Sequence, residues 1–321
     1  MKVMTQKLTK LNPIVSETLE DLTKEYQKGI VGGMKELVTK LGPSLYLAQN
    51  KRWPEARPIE VIRIDGPTGV GKSLGVKRLF KILGGKPENL LYIDGGSMQS
   101  GHEASKMFGA PPGYVGYGDE PLIGKKSLDK SRTANFQNPF ILWDEFDKTH
   151  MNAKRALLNA LEEGWLTLGN GTKLSLEGAF IFMTSNLGSM ESQKRAMTFE
   201  GGVIGKGAVK HALKEEELPE LRNRFTQTLW IEPLTKNECY EIIDLEMLQA
   251  LKSFKIKCNV RLEESVRDHI ISTGYSADFG AREIKRVILR NIIPALISVE
   301  NSGPNIRISY ADGEIQFSLL G

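Results

Sequence analysis

The chain has 321 residues, 40% hydrophobic and 26% charged, an ordinary balance for a globular protein long enough for two modest domains. Its 43 basic and 39 acidic residues leave a formal charge of +4, too balanced to imply a nucleic-acid or membrane partner by itself, and no run of about 18 apolar residues occurs. The two cysteines, Cys239 and Cys258, stand in no metal-ligand spacing, and the four histidines lie at no helical or turn spacing from a carboxylate or cysteine, so no protein metal cluster is expected. The opening MKVMTQKLTKLNPIVSETLE has no apolar core for a signal peptide, and a soluble cytoplasmic protein without a membrane partner is expected.

Residues 1–28 read as a lead segment. Five short apolar, β-branched runs then recur: VIRID (61–65), LLYID (90–94), FILWD (140–144), AFIFMTS (179–185) and TLWIEPL (228–234). With the helical patterns between them, they predict a parallel sheet with crossover helices, an α/β domain over 29–232. Between the first two runs, Leu74, Val76, Leu79, Phe80 and Leu83 have approximate helical spacing. After the third, Leu157, Leu158 and Leu161 in KRALLNALEEGWL do the same, with Gly164 as the stop. Trp143 is bulkier than a covered parallel strand accommodates. Between the second and third runs lies GAPPGYVGYG (109–118), whose four glycines and paired prolines exclude a helix interior or a central strand. The stretch 189–217 reads as an irregular surface excursion. From 233 to 321 the pattern is mainly helical and ends in IRISYADGEIQFSLL, a hairpin turning at Asp312-Gly313.

VIRIDGPTGVGKS joins a strand to a helix through Gly66, Pro67, Thr68, Gly69, Val70, Gly71, Lys72 and Ser73, the G-x-x-x-x-G-K-S phosphate loop in the strand-loop-helix context that supports it. Its backbone N–H groups and the helix N-terminus attract phosphate. Lys72 is expected to reach the β- and γ-phosphates of ATP, and Ser73 to hold Mg2+. At the end of FILWDEFDK, Asp144 is placed to orient Mg2+ and its waters, and Glu145 to polarise the attacking water. Asn186, after the fourth strand, is placed to position the γ-phosphate or the water, or to serve as a turn or capping residue.

GPTGVGKS, GAPPGYVGYG, ILWDEFDK, LLNALEEGWLTLGNGTKLSLEGAFIFMTSNLGS, LPELRNRF and GYSADFGAREIKR together resemble the ATPase module of Clp-type AAA+ protein unfoldases, most closely the C-terminal ATPase ring of ClpB-like disaggregases, from about Ile30 to the C-terminus. The resemblance implies an AAA+ P-loop NTPase domain followed by a small, mainly helical lid domain, with ATP at their junction. It implies that Val31 in GIVGG packs on the adenine, and that Arg224 is the arginine finger offered to a neighbouring subunit, with Arg222 the alternative. Arg282 in GAR becomes the sensor arginine of the lid domain. An arginine supplied to another chain requires a ring, with a hexamer expected. Tyr114, with Val115 beside it, becomes the grip of a central-pore loop on a polypeptide client, and Tyr117 a support at the loop base.

The chain departs from the pattern in three ways. Its length leaves no room for a substrate-recruiting N-terminal domain, a first ATPase ring or a coiled-coil middle domain, so Hsp70-linked disaggregation is not expected. After Asn186 it offers only MTFEGG and VIGKG where peptidase-docking relatives carry Ile-Gly-Phe or Ile-Gly-Leu, so a Clp peptidase partner is not expected. Thr226 stands where an acidic residue commonly follows the finger arginine. The function expected is an ATP-hydrolysing protein remodeller, with a dedicated assembly or disassembly factor as the alternative. A nucleic-acid motor or loader is the alternative from another class. Lys125, Lys126, Lys130 and Arg132 keep it open, but no winged-helix appendage accompanies them and nucleic acid is not favoured. A silent scaffold is opposed by the full set of site residues.

Overall fold

The computed structural model describes residues 19–50, 56–110, 113, 117, 120–133, 137–186, 219–276, 280–299 and 303–319. The chain separates into two compact units, 1–66 with 71–231, and 67–70 with 232–321. The first begins with α1 (Leu19–Gln27), a 3-10 turn (Gly32–Glu36) and α2 (Leu37–Gln49). β1 (Glu60–Asp65), α3 (Lys72–Ile82), β2 (Leu91–Asp94), α4 (Gly101–Phe108), α5 (Lys125–Lys130) and β3 (Phe140–Asp144) follow. Then come α6 (Met151–Glu163), β4 (Trp165–Thr167), β5 (Lys173–Ser175), β6 (Phe180–Ser185), α7 (Pro219–Arg222) and β7 (Gln227–Trp230).

The five expected strands form one parallel sheet in the order β2-β3-β6-β1-β7. β1 and β6 are buried along their whole length, and β6 accordingly reads as a nearly continuous rather than alternating apolar run. The register sets Asp65 beside Ser185 and Asp94 beside Asp144, so the C-terminal ends of β1, β6, β2 and β3 form one row. On one face, Phe140 stacks on Phe180 at 4.9 Å and meets Phe80 of α3 at 5.7 Å. On the other, Trp143 is fully buried. Its indole Nε1 donates to Thr149 Oγ1 at 2.9 Å, and its ring meets Phe146 edge-on at 5.4 Å, so its size and its polar atom are both accommodated.

Two expectations need correction, and one hairpin was not foreseen. Leu74 does not share the buried stripe of α3: it is 59% exposed, because at 100° per residue it lies roughly opposite Val76, Leu79 and Phe80. α6 closes at Gly164 (φ 76), the expected stop, and Trp165 and Leu166 open a β4–β5 hairpin that was not expected. The last strand ends at Trp230 rather than running to 234. Ile231 N–H still donates to the Asp65 carbonyl at 2.8 Å, but Pro233 has no N–H with which to extend the ladder.

The second unit contains α8 (Lys236–Ser253), β8 (Asn259–Leu262), α9 (Glu264–Gly274), α10 (Arg282–Val287), a π turn (Ile288–Ile292) and α11 (Ile293–Val299). It ends with β9 (Asn305–Ala311) and β10 (Glu314–Leu319). Thr235 and Glu238 form a reciprocal capping box at the start of α8. The π turn precedes Pro294, whose ring would clash with the carbonyl four residues back in a regular helix. Asp312 (φ 55) and Gly313 (φ 84) supply the two positive φ angles of a tight hairpin between β9 and β10. β8 adds to β9 in parallel, so the hairpin is part of a three-stranded sheet, which the sequence pattern did not indicate.

β1 carries a buried ion pair. Arg63 (4% exposed) donates from Nε to Asp65 Oδ1 (0% exposed) at 2.7 Å, and its guanidinium lies 5.6 Å from the Phe225 ring centroid. Burial pushes the Asp65 carboxyl above its usual pKa, and the charges of Arg63 and Lys72 with hydrogen bonds from Arg63 and Ser185 offset this only in part. Removing one partner strands the other charge in the core, whereas replacing both with apolar residues is often neutral. Arg63→Leu is therefore expected to lose about 3–5 kcal/mol in chemical denaturation, and Arg63→Leu/Asp65→Leu to regain most of it. Equal losses in the two variants would show that the pair is not the source.

Candidate nucleotide site

The phosphate loop leaves the end of β1 and enters α3. Gly66 adopts φ +149, and a Cβ there would stand 2.4 Å from the Ile231 carbonyl oxygen, so the turn closes only with glycine. Gly71, at φ +88, is the N-cap of α3, where a Cβ would meet nothing within 4 Å. The space before the helix is therefore open, and no cap side chain occupies its first N–H groups, as an anion site requires. Lys72 is 7% exposed, and its Nζ donates to the Gly66 carbonyl at 2.6 Å and to Asn186 Oδ1 at 2.8 Å. These bonds hold the ammonium across the loop and bring Asn186 to it. Within the second unit, which takes in Pro67, Thr68, Gly69 and Val70, Ala281 N–H donates to the Gly69 carbonyl at 3.3 Å. Arg282 opens α10 one residue later.

Asp144 ends β3 and collects three hydroxyls from three other elements. Ser73 of α3 and Thr184 of β6 both donate to Oδ1, and Tyr92 of β2 donates to Oδ2 at 3.1 Å. Burial raises the Asp144 pKa, but these three hydrogen bonds and the charge of Lys77 outweigh it and hold the carboxyl below its ordinary value. Next along the chain, Glu145 takes a left-handed backbone (φ 53), and its N–H donates to Thr184 Oγ1 at 3.1 Å. Its carboxylate accepts from Lys148 Nζ at 2.7 Å. The Asn186 N–H lies 3.4 Å from Asp147 Oδ1.

Arg224 follows α7, and its guanidinium pairs with Glu162 in the last turn of α6 at 2.5 Å. Arg222 is the last residue of α7. The segment is fastened to β1 by the next residues: Thr226 Oγ1 accepts from Val61 N–H at 3.1 Å and donates to the buried carboxylate of Glu60. Glu60 thus brings from β1 an acid to the position where Thr226 carries none.

Val31 is buried and extended just before the 3-10 turn. Tyr114 and Val115 lie outside the described residues. The chain on either side of their loop is pinned, since Leu122 N–H donates to the Lys106 carbonyl at 3.2 Å and Ile123 N–H to Met107 at 3.0 Å. Gly169 N–H, from the β4–β5 connection, donates to Phe108 at 2.7 Å. Tyr117, expected as a support at the loop base, is 52% exposed. The basic run is partly neutralised: Lys126 pairs with Glu120 at 3.0 Å and Arg132 with Asp129 at 3.3 Å. Lys125 and Lys130 line a cleft of about 510 Å³ that also includes Glu120 and Asp129.

Lys72 is thus bonded to Asn186 and its chain neighbour Ser73 to Asp144, and Arg224 is held at the far end of α6. Sequence reasoning missed Thr184, Tyr92, Lys148 and Glu162. Thr184 had one available signal, a hydroxyl inside a buried strand two residues before Asn186; Tyr92 had none.

The model of the AAA domain (Cdc48 subfamily) matches residues 57–228, and that of the C-terminal D2-small domain of ClpB protein matches 234–303. The chain is 33% identical over 298 residues to the "Chaperone protein ClpB" of Rhodopirellula baltica, covering 90% of this chain and 33% of that one. It is 30% identical over 314 residues to the "ATP-dependent Clp protease ATP-binding subunit ClpA homolog" of Porphyra purpurea, covering 92% and 36%. A solved structure described as "Closed State CryoEM Reconstruction of Hsp104:ATPyS and FITC casein" shares the fold, with a TM-score of 0.77 at 21% identity over 97% of this chain and 53% of that one. The chain spans about a third of the length of the curated relatives it matches. With a domain model matching more than half of its residues and a D2-small model matching the second unit, the chain belongs to the AAA+ ATPases of Clp type.

Proposed function

We propose that this chain binds and hydrolyses ATP and, as a ring, uses the cycle to remodel polypeptide clients. The observation that carries the reading is the convergence on the phosphate loop: Lys72 bonded to Asn186, and Ser73 bonded to Asp144. Ser73 and Asp144 present hard oxygen donors in mutual contact, which fits Mg2+ bound with ATP. The cation, when bound, neutralises phosphate charge. Lys72 supplies fixed positive charge to the β- and γ-phosphates, the loop from Gly66 to Gly71 offers backbone donors, and Val31 packs on the base. Glu145 accepts the proton of the attacking water once its carboxylate leaves Lys148, and Asn186 orients that water or the γ-phosphate. Arg224 reaches the neighbouring subunit's ATP, and Arg282 reads the nucleotide state from the second domain. The proposed boundaries are a lead segment over 1–28, the ATPase domain over 29–232 and the lid domain over 233–321.

The polypeptide client and the hexamer are supported by relatives named as ClpB chaperones and by the fold shared with an Hsp104 structure described with casein. Relatives named as Clp protease subunits stand beside them. The missing Ile-Gly-Phe or Ile-Gly-Leu tripeptide favours action without a peptidase. Tyr114, flanked by Val115, grips the client through a bulky amphipathic ring that needs no sequence-specific hydrogen bond. Among the described residues, no helix is long and apolar enough to cross a membrane.

Three measurements test this reading. Lys72→Ala is expected to abolish ATP binding, whereas Glu145→Gln keeps binding and loses turnover, because Glu145 acts only during reaction. Normal phosphate release by the Glu145 variant would remove its assignment. Arg224→Ala is expected to slow hydrolysis by roughly 10³ to 10⁵, with partial recovery in rings mixed with Glu145→Gln subunits, where intact Arg224 faces intact Glu145. Intact rings that show no recovery would place Arg224 in its own subunit's chemistry. Tyr114→Ala is expected to form rings that still hydrolyse ATP but no longer unfold a captured client, while Tyr114→Phe retains most unfolding; a Tyr114→Ala ring that unfolds normally refutes the grip.

A further inference from the structure

We propose that Tyr92 is a positioning residue for Asp144, whose hydroxyl fixes the plane of that carboxylate and so sets how well the site takes magnesium-bound nucleotide. The inference rests on the ATP-site reading above and extends it to a residue outside the phosphate loop and the acidic pair. Ser73 and Thr184 both donate to Asp144 Oδ1. Rotation about the Cβ–Cγ bond moves both oxygens together, so a donor on the second oxygen adds to the hold of the two on the first. Tyr92 supplies that donor at 3.1 Å and sets the plane from the opposite edge of the carboxylate.

Tyr92 lies on β2, at the edge of the sheet, and is 40% exposed, so its ring contributes less to the core than a buried aromatic would. It is nevertheless not free to turn. Lys77 of α3 places its Nζ 4.5 Å from the ring centroid, a cation–π contact that holds the ring while the hydroxyl reaches Asp144. Burial, then the Asp144 charge and the hydrogen bond to it, push the Tyr92 hydroxyl up to about 12. An aromatic residue on an edge strand needs no function, since rings favour strands, and the hydroxyl is what separates the two accounts.

Tyr92→Phe keeps the ring and its contact with Lys77 and deletes only the donor. The probe is a fluorescent methylanthraniloyl-ADP, titrated with and without magnesium, alongside the magnesium dependence of ATP turnover. In Tyr92→Phe the gain in affinity on adding magnesium is expected to shrink by about 3- to 10-fold, the net worth of one ordinary, partly exposed hydrogen bond. The magnesium concentration for half-maximal turnover is expected to rise by a similar factor, and affinity without magnesium to stay at the wild-type value. In an Asp144→Asn background, Tyr92→Phe is expected to add little. A wild-type magnesium response in Tyr92→Phe, or an equal loss with and without magnesium, overturns the proposal. Asp144→Asn separates the two levels: if it leaves the magnesium response intact, the ATP-site reading fails, whereas if it abolishes that response and Tyr92→Phe does not change it, only the role of Tyr92 fails.

Discussion

Asp144 accepts hydrogen bonds from Ser73, Thr184 and Tyr92, which stand on α3, β6 and β2. One carboxylate at the end of β3 thus ties together the helix that follows the phosphate loop, the strand that ends beside Asn186 and the edge of the sheet. Such an acid can sit partly out of water only because each of its oxygens is satisfied. The same three bonds, with the charge of Lys77, hold its pKa below the ordinary value against the effect of burial. Parallel register makes the convergence possible, since Asp144 and Ser185 end their strands in one row. Thr184 serves twice, as donor to Asp144 and as acceptor for the Glu145 N–H, which fixes the left-handed backbone at Glu145 and the direction in which its side chain leaves the strand.

The parts of the fold legible in the sequence are those whose signal is local. β3 and β6 are covered on both faces and so appear as short, nearly continuous apolar runs. The phosphate loop is legible because its glycine demands lie within eight consecutive residues. The β4–β5 hairpin was hidden because Trp165 and Leu166 extend the apolar spacing of α6, and only the reversal at Gly164 separates them. Leu74 misled in the opposite sense, being apolar but on the outer side of α3. Trp143 looked too large until Thr149, six residues on, supplied an acceptor for its indole. The hydroxyls of Tyr92 and Thr184 reach Asp144 across 52 and 40 residues of chain, and no spacing rule carries such a relation.

Arg63 and Asp65 run against the logic of a buried strand. A pair of opposite charges in the core gains little over apolar residues of similar size, because desolvation offsets much of the attraction. Their position gives them a physical consequence all the same. Asp65 directly precedes Gly66 of the phosphate loop and stands beside Ser185, and Arg63 lies against Phe225, the neighbour of Arg224. The base of the loop, the end of β6 and the segment carrying Arg224 therefore share one buried electrostatic contact. None of the three can shift without disturbing a charge in the core.

That segment is fastened at two further points. Thr226 is held by Val61 and Glu60 on β1, and Arg224 is held by Glu162 on α6. α6 begins six residues after Glu145 and is 13 residues long, or about 20 Å at 1.5 Å per residue. The acid proposed to act on a subunit's own ATP thus lies six residues before one end of this helix, and the arginine proposed to serve its neighbour's is paired with the other end. A helix transmits displacement along its axis with little loss, since its hydrogen-bonded turns do not compress independently. The exposed Arg224–Glu162 pair is worth at most about 1 kcal/mol, so it can set the resting position of the arginine and still yield to a phosphate. Movement at Glu145 as the water is consumed would then change where Arg224 is presented.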